Sequence, residues 1–306
     1  MGKFKRILIA ATLWMLCSSN GIKGQDLTEI LLYPDDPEFK PENRKEEKNF
    51  DADGLRNIFG EVVPRMFVYK SEKACGTGII ICPGGGYSKC HVRNTRFIAE
   101  RLNRMGVTVF VLIYRLPAYD PEAKNLDAPL QDVQTAFRLI RSRAGEWGLD
   151  KNKIGIWGNS AGGHLAAMAA THYTTSYIPG TDTTGVRPDF LVLAWSGGSS
   201  RLRAQREPAK ELFGGDPTEE RIHYYSPDEC VNSRTPATFI VHANDDPIVN
   251  PENSVLFYEA LKKSNVPVEL HIYEKGGHGF GIDPDVKNED SWITQLEIWL
   301  RNRGLL

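Results

Sequence analysis

A serine set between glycines is the residue of this sequence best placed for nucleophilic chemistry. The stretch 154–170 reads IGIWGNSAGGHLAAMAA, and Ser160 lies in a G-x-S-x-G pattern made by Gly158 and Gly162. The apolar run before it predicts a strand and the small residues after it predict a helix, which is the context that this motif requires. The hydroxyl would then project above a sheet, beside the N–H groups of a helix N-terminus. The competing interpretation is a glycine-rich turn whose serine only caps a helix.

A serine needs a base to become a nucleophile, and the chain offers seven histidines. His278 is the favoured one, because it lies in YEKGGHGFG (273–281), just past the last predicted strand and between glycines that leave the loop free to aim an imidazole. We expect His242 and His271 to be core or edge residues, because both lie in apolar strands. His164, one helical turn after Ser160, is expected to pack.

The base in turn needs an acid that holds its tautomer. The stretch HANDDPIVNPENS (242–254) offers Asp245 and Asp246 after a predicted strand. We favour Asp246, because it directly precedes a proline that stiffens the turn. A plain turn-forming Asp-Asp-Pro is the alternative. No acid directly follows the strand 190–195. The resulting order Ser160, Asp246, His278 is that of the α/β-hydrolase triad.

A third glycine-rich stretch suits an oxyanion hole. CPGGGY (82–87) follows the predicted strand 78–82, and its three glycines allow backbone N–H groups to approach a substrate oxygen. A phosphate-binding P-loop is the competing interpretation, but its lysine and Ser/Thr are absent.

The elements that position these residues alternate between strands and helices. Helical spacing of apolar residues is found over 130–147, 251–261 and 292–299. We predict an α/β-hydrolase fold, with an eight-stranded, mostly parallel sheet and helices on both faces. The long connection 196–236 predicts a small lid, and the polar residues 35–54 a surface loop. The predicted strands are 27–33, 66–70, 78–82, 107–113, 154–158, 190–195, 237–243 and 268–273.

The N-terminus differs from the rest of the chain. Three basic residues precede the apolar run 7–16, which is too short to span a bilayer, and small and polar residues follow. This pattern predicts a signal peptide over 1–24, export to the periplasm or the medium, and a catalytic domain over 25–306. Lipid attachment at Cys17 is the alternative. Of the remaining cysteines we expect unpaired thiols, with a Cys82–Cys90 disulfide left open.

Charge and composition exclude some functions. The 306 residues carry a formal net charge of -2 without a lysine-rich run, so nucleic acid is not an expected partner. No apolar run after residue 24 is long enough for a membrane helix, so stable membrane insertion is not expected. The sequence leaves the oligomeric state open.

From about residue 55 onwards the chain resembles a known family, the α/β-hydrolase esterases related to acetyl esterases and acetylxylan esterases. The resemblance implies Ser160, Asp246 and His278 as the triad and no metal or cofactor. It also implies that the N–H groups of Gly85, Gly86 and Ala161 form the oxyanion hole. Pro83 stands where hormone-sensitive-lipase-like esterases have histidine, which implies a different support for this loop. The matching stretches are CPGGGYS (82–88), GVTVFVLIYRL (106–116), APLQDVQTAFRLIRS (128–142), GNSAGGHLA (158–166) and residues 242–281.

The substrate implied by this resemblance is an acylated carbohydrate, with an O-acetyl or a feruloyl ester. A peptidase of the prolyl-oligopeptidase type is an alternative, but the chain has no room for the propeller domain usual there. An inactive carbohydrate-binding relative is another, against which the intact Ser–Asp–His set argues. Tyr87, Arg201 and Arg203 are the predicted substrate-binding residues. Arg93, Arg96 and Arg206 would add to a positive field that favours acidic glycans, unless these arginines are ordinary surface charges.

Overall fold

The structure is a computed structural model that describes residues 28–52, 54–119, 127–199, 218–281 and 290–306. The predicted signal peptide 1–24, with Cys17, lies outside the described residues. So do Arg201, Arg203 and Arg206, together with the middle of the predicted lid, residues 200–217. Their predicted roles stay predictions.

Eight strands form one large sheet, in the order β1-β4-β7-β5-β8-β9-β10-β11. The pairs β1–β4 and β4–β7 are antiparallel and the other five pairs are parallel. The predicted sheet is therefore confirmed, and each predicted strand is present. The strands of the described chain are β1 (Thr28–Leu31), β2 (Glu46–Asp51), β3 (Gly54–Gly60), β4 (Arg65–Tyr69), β5 (Gly78–Cys82), β6 (Lys89–His91), β7 (Thr108–Ile113), β8 (Ile154–Asn159), β9 (Phe190–Ala194), β10 (Ala237–Ala243) and β11 (Val268–Tyr273).

The α-helices of the described chain alternate with these strands, as the apolar spacing predicts. The predicted helix 130–147 is split into an α-helix and a 3-10 turn, Ala144–Trp147, that ends at Gly148 in a left-handed conformation. Another 3-10 turn, Pro227–Cys230, lies within the predicted lid segment 196–236. The helices are α1 (Val92–Arg104), α2 (Asp127–Ser142), α3 (Ser160–Thr171), α4 (Glu219–Tyr224), α5 (Glu252–Lys263) and α6 (Asp290–Asn302).

Helices cover both faces of the large sheet. Trp157 of β8 and Phe239 of β10 lie on the same face, because the registers of β8, β9 and β10 bring them into line. Their rings lie 5.8 Å from that of Trp292 and 5.9 Å from that of Trp299, both in α6. Gly158, which alternates with Trp157, faces α3 on the other side. The core therefore lies in two layers, one on each side of the sheet.

A second, three-stranded antiparallel sheet, β2-β3-β6, was not predicted. Its first strand lies within residues 35–54, so the prediction of a surface loop there is wrong for Glu46–Asp51. The error has a physical reason: β2 is exposed along most of its length and carries polar residues that conceal a strand. The sheet is anchored by buried Arg65, whose Nη1 and Nη2 donate to the two carboxylate oxygens of Glu46 at 2.6 and 2.8 Å.

Two further properties concern the described residues only. Cys75, Cys82, Cys90 and Cys230 are free thiols, and burial raises the pKa of the Cys82 and Cys90 thiols. Among the helices described, none has both the length and the apolar character needed to cross a membrane.

Candidate active site

The turn between β8 and α3 holds Ser160 in a left-handed backbone conformation, with φ of 53°. The strand ends at Asn159 and the helix begins one residue later. A side chain on Gly162 would overlap the carbonyl oxygens of Cys82 and Pro83 at the end of β5. Only glycine lets the backbone of α3 approach β5 so closely, and this close contact fixes where the serine hydroxyl points.

His278 lies in the loop after β11 and contacts both other members of the predicted triad. Its Nε2 is 3.0 Å from the Oγ of Ser160, and its Nδ1 is 2.7 Å from Oδ2 of Asp246. An ionised carboxylate only accepts hydrogen bonds, so Nδ1 carries the proton and Nε2 accepts from the serine hydroxyl. The structure thus brings together Ser160, His278 and Asp246 in the predicted order. The ring of Trp195, 6.5 Å away, packs against the imidazole.

The loop after β10 holds Asp246 through its backbone. The N–H groups of Ile248 and Val249 donate to Oδ1 at 2.8 and 2.9 Å, and the side chain has no exposed surface. Burial by itself would raise the pKa of Asp246, but these two N–H groups and His278 outweigh it and hold the pKa below its usual value. Asp245 points elsewhere: its Oδ1 accepts from the N–H of Gly277 at 2.8 Å.

His242 is a member of this cluster that the sequence did not reveal. It is buried, as predicted, but its Nε2 lies 3.1 Å from Oδ2 of Asp246. A usable signal was present in the sequence, since an imidazole inside an otherwise apolar strand needs a polar partner, and Asp246 follows four residues later.

The predicted oxyanion loop lies directly against the serine turn. A side chain on Gly84 would meet the carbonyl oxygen of Asn159 at 2.9 Å and the Cβ of Ser160 at 3.1 Å. Gly85, Gly86 and Tyr87 follow with φ of 134°, 65° and 62°. Ala161, in the first turn of α3, is 2% exposed. Consecutive left-handed residues beside a helix N-terminus are an arrangement that aims backbone N–H groups at an anion.

Tyr87 packs beneath this loop and supports it, and its predicted role in substrate binding stays a prediction. It is 2% exposed, and its hydroxyl lies 2.9 Å from Nδ1 of His164 in α3. Nε2 of His164 lies 2.8 Å from the carbonyl oxygen of Tyr225, so Nε2 carries the proton and Tyr87 is the donor to Nδ1. The hydroxyl of Tyr114 donates to the carbonyl of Pro83 at 2.7 Å. Tyr87 and Tyr114 therefore support the loop that contains Pro83, for which the sequence predicts a support different from that of esterases with histidine at this position.

The arginines after the loop have partners within the protein. Nε of Arg93 lies 3.5 Å from a carboxylate oxygen of Asp51, and Nε of Arg96 lies 3.4 Å from Glu100. Their charges are thus partly balanced, which weakens the prediction of a positive field at this edge. In the part of the chain that the structure describes, no cluster of three or more His, Cys, Asp and Glu side chains is arranged to hold a metal ion.

The fold and this site define an α/β hydrolase with a serine at the strand–helix turn. The profile of the BD-FAE family matches residues 66–261, and that of the dienelactone hydrolase family matches residues 224–299. The chain belongs to the BD-FAE family, within the acetyl-esterase-like α/β hydrolases.

Three relatives illustrate the similarity. The acetylxylan esterase of Xylanibacter ruminicola is 32% identical over 80% of this chain and 50% of its own length. The endo-1,4-beta-xylanase B of Butyrivibrio fibrisolvens is 29% identical over 73% of this chain and 35% of its own. This chain thus spans half or less of these two curated relatives. The crystal structure of an acetyl ester-xyloside bifunctional hydrolase from Caldicellulosiruptor lactoaceticus is 33% identical, with a TM-score of 0.73, and is matched over 97% of its length and 91% of this chain.

Proposed function

We propose that this chain is an exported serine esterase that hydrolyses O-acyl esters of carbohydrates, foremost O-acetyl esters. The observation that carries the proposal is the line of hydrogen bonds from Ser160 Oγ through His278 to the carboxylate of Asp246, at 3.0 and 2.7 Å. A serine so paired is activated for attack on a carbonyl carbon. The glycine-rich loop beside it suits the negative oxygen that such an attack creates.

In the first half of the reaction, Ser160 Oγ attacks the ester carbonyl while its proton passes to Nε2 of His278. Asp246 keeps Nδ1 protonated and stabilises the imidazolium that forms. The N–H groups of Gly85, Gly86 and Ala161 stabilise the tetrahedral oxyanion. The intermediate collapses when His278 gives the proton to the ester oxygen of the sugar as the bond from that oxygen to the acyl carbon breaks, which releases the sugar with a free hydroxyl and leaves the acyl group on the serine. In the second half, water attacks the acyl-enzyme with the same histidine as base, and the acid is released.

The substrate class rests on the named relatives and on the N-terminus. Two of the three relatives carry acetyl ester or acetylxylan in their names, and one of them is matched over 97% of its length. The predicted signal peptide 1–24 would bring the enzyme to polymeric glycans outside the cytoplasm.

The test is acetate release from acetylated xylan and hydrolysis of p-nitrophenyl acetate by residues 25–306. Ser160→Ala is expected to lower kcat by roughly 10⁴-fold or more, since the triad acts as a unit. Adding His278→Ala should cost little further. His271→Ala is the matched control, because this half-buried histidine pairs with Glu269 on β11. Feruloylated oligosaccharides form a second arm of the test. Acetate release that persists in Ser160→Ala, or a wild-type enzyme inactive on every acyl ester, would refute the proposal.

A further inference from the structure

Both oxygens of the Asp246 carboxylate are fully used within the protein. Oδ1 accepts from two backbone N–H groups, and Oδ2 lies 2.7 Å from Nδ1 of His278 and 3.1 Å from Nε2 of His242. The side chains of Asp246 and His242 have no exposed surface. A carboxylate offers about four acceptor positions, and the four donors occupy all of them. No position is left to bind water, and the four contacts restrain rotation of the carboxylate.

The protonation of His242 follows from its partners. Nε2 lies 3.1 Å from Oδ2 of Asp246 and 3.1 Å from the carbonyl oxygen of Val249, which both accept only. Nε2 therefore carries a proton. Nδ1 lies 2.7 Å from the hydroxyl of Ser254, which can donate. Burial lowers the pKa of His242, which favours the neutral ring with Nδ1 as acceptor.

We propose that His242 is a positioning residue for the catalytic acid: a neutral second imidazole that holds the Asp246 carboxylate in the orientation in which it binds His278. The role rests on the proposed function. A neutral donor suits this task, because it restrains the carboxylate without cancelling its charge. A cationic partner at the same oxygen would compete with His278 for the carboxylate. It would also offset part of the negative charge with which Asp246 stabilises the imidazolium that forms on His278.

The orientation matters because only Oδ2 faces His278. The two N–H groups restrain the other oxygen, so His242 is the one contact besides His278 that the described residues make to Oδ2. Without it, the carboxylate can tilt about its Oδ1 contacts, and Nε2 of His278 loses its alignment with the Ser160 hydroxyl. Outer hydrogen-bond partners that orient metal-ligating side chains typically contribute about 10–100-fold in activity, and we expect an effect of the same order for a partner that orients the catalytic acid.

The experiment compares two isosteric fragments of the imidazole. His242→Gln places an amide N–H near the Nε2 position and keeps the donor to Asp246. His242→Asn retains the position of Nδ1, and so the contact with Ser254, but does not reach Asp246. Ser254→Ala is the control for the Nδ1 side. The readouts are kcat, KM and the downfield proton resonance of the His278–Asp246 hydrogen bond in the folded chain.

His242→Asn should lower kcat roughly 10–100-fold with little change in KM, and should shift or broaden the downfield resonance. His242→Gln should retain most of kcat and the resonance, and Ser254→Ala should resemble wild type. Wild-type kcat in His242→Asn, or equal losses in both variants with the resonance unchanged, would overturn the role. The resonance also separates the two proposals: if the chain hydrolyses no acyl ester but the resonance shifts only in His242→Asn, the positioning stands and the esterase proposal fails.

Discussion

Two aspartates near the same edge of the large sheet have opposite electrostatic environments. Asp246 follows β10 and receives two backbone N–H groups and two imidazoles, so its pKa lies below the usual value although its side chain is buried. Asp228 lies in the turn Pro227–Cys230, whose backbone contacts the loop after the neighbouring strand β9 at Gly198. Burial there raises the pKa of Asp228 to about 6, because it outweighs the donors that lower the pKa, namely Ser199 and the backbone N–H groups of Asp228 and Glu229. Among the described residues, its buried Oδ1 has no hydrogen-bond partner.

The difference shows that the charge of a carboxylate depends on the balance between burial and the donors that reach it, and this balance decides whether the carboxylate can hold a histidine. Burial disfavours the charged form of both residues. At Asp246 the two backbone N–H groups and His278 outweigh burial, whereas at Asp228 the donors that are present do not. The acid of the predicted triad is therefore a property of its loop as much as of its residue type.

The largest effect is expected when the charge of Asp246 is removed. Asp246→Asn leaves the shape intact, but an amide can donate to Nδ1 of His278 and so favour the wrong tautomer. We expect kcat to fall about 10⁴-fold with little change in KM, measured with p-nitrophenyl acetate. A loss of less than tenfold would mean that the four donors around this carboxylate do not serve catalysis.

A smaller effect of the opposite kind is expected at Asp228. The folded-state pKa of Asp228 is raised from 3.8 to about 6. The contribution of this carboxyl group to the free energy of unfolding is therefore fully present below pH 3.8 and is lost as the pH rises through 6. Asp228→Asn removes this loss, so at pH 8 it should be more stable than wild type by about 1 kcal/mol after allowance for solvent screening.

Urea unfolding of both proteins at pH 4 and pH 8 checks this prediction, with kcat as the control. The stability difference should be near zero at the lower pH, and kcat should be unchanged. A variant less stable at pH 8 than at pH 4, relative to wild type, would show that the Asp228 carboxylate has a stabilising partner.

The smallest effect is expected at Asp245, the neighbour of the acid. Its oxygen accepts from the N–H of Gly277, one residue before His278, in an exposed loop. Asp245→Asn keeps an acceptor there, so kcat/KM should fall by only about twofold, since a hydrogen bond to a charged group is exchanged for a neutral one. If this variant lost more activity than Asp246→Asn, the assignment of the acid would be wrong.

The parts of the molecule that the sequence predicted are those with strong local signals. Buried parallel strands such as β5 and β7 are continuously apolar, and Ser160, Asp246 and His278 each follow a strand and lie in a recognisable chain order. Strand β2 was missed because exposed strands need no apolar residues. The approach of Asp228 to the loop after β9 could not be foreseen, because it depends on how a segment thirty residues further along the chain folds back. The apolar strand around His242 predicts its burial and signals the need for a polar partner, but only the turn after β10 brings Asp246 to its Nε2.

The left-handed backbone conformation of Ser160 affects which substitutions position 160 favours. A residue with a Cβ in the left-handed region costs roughly 1 kcal/mol or more, and glycine would remove that cost. Selection for thermal robustness alone would therefore favour glycine at position 160. The residue that would strengthen the fold there is the one that removes the proposed nucleophile, so stability and activity are in direct conflict at this position.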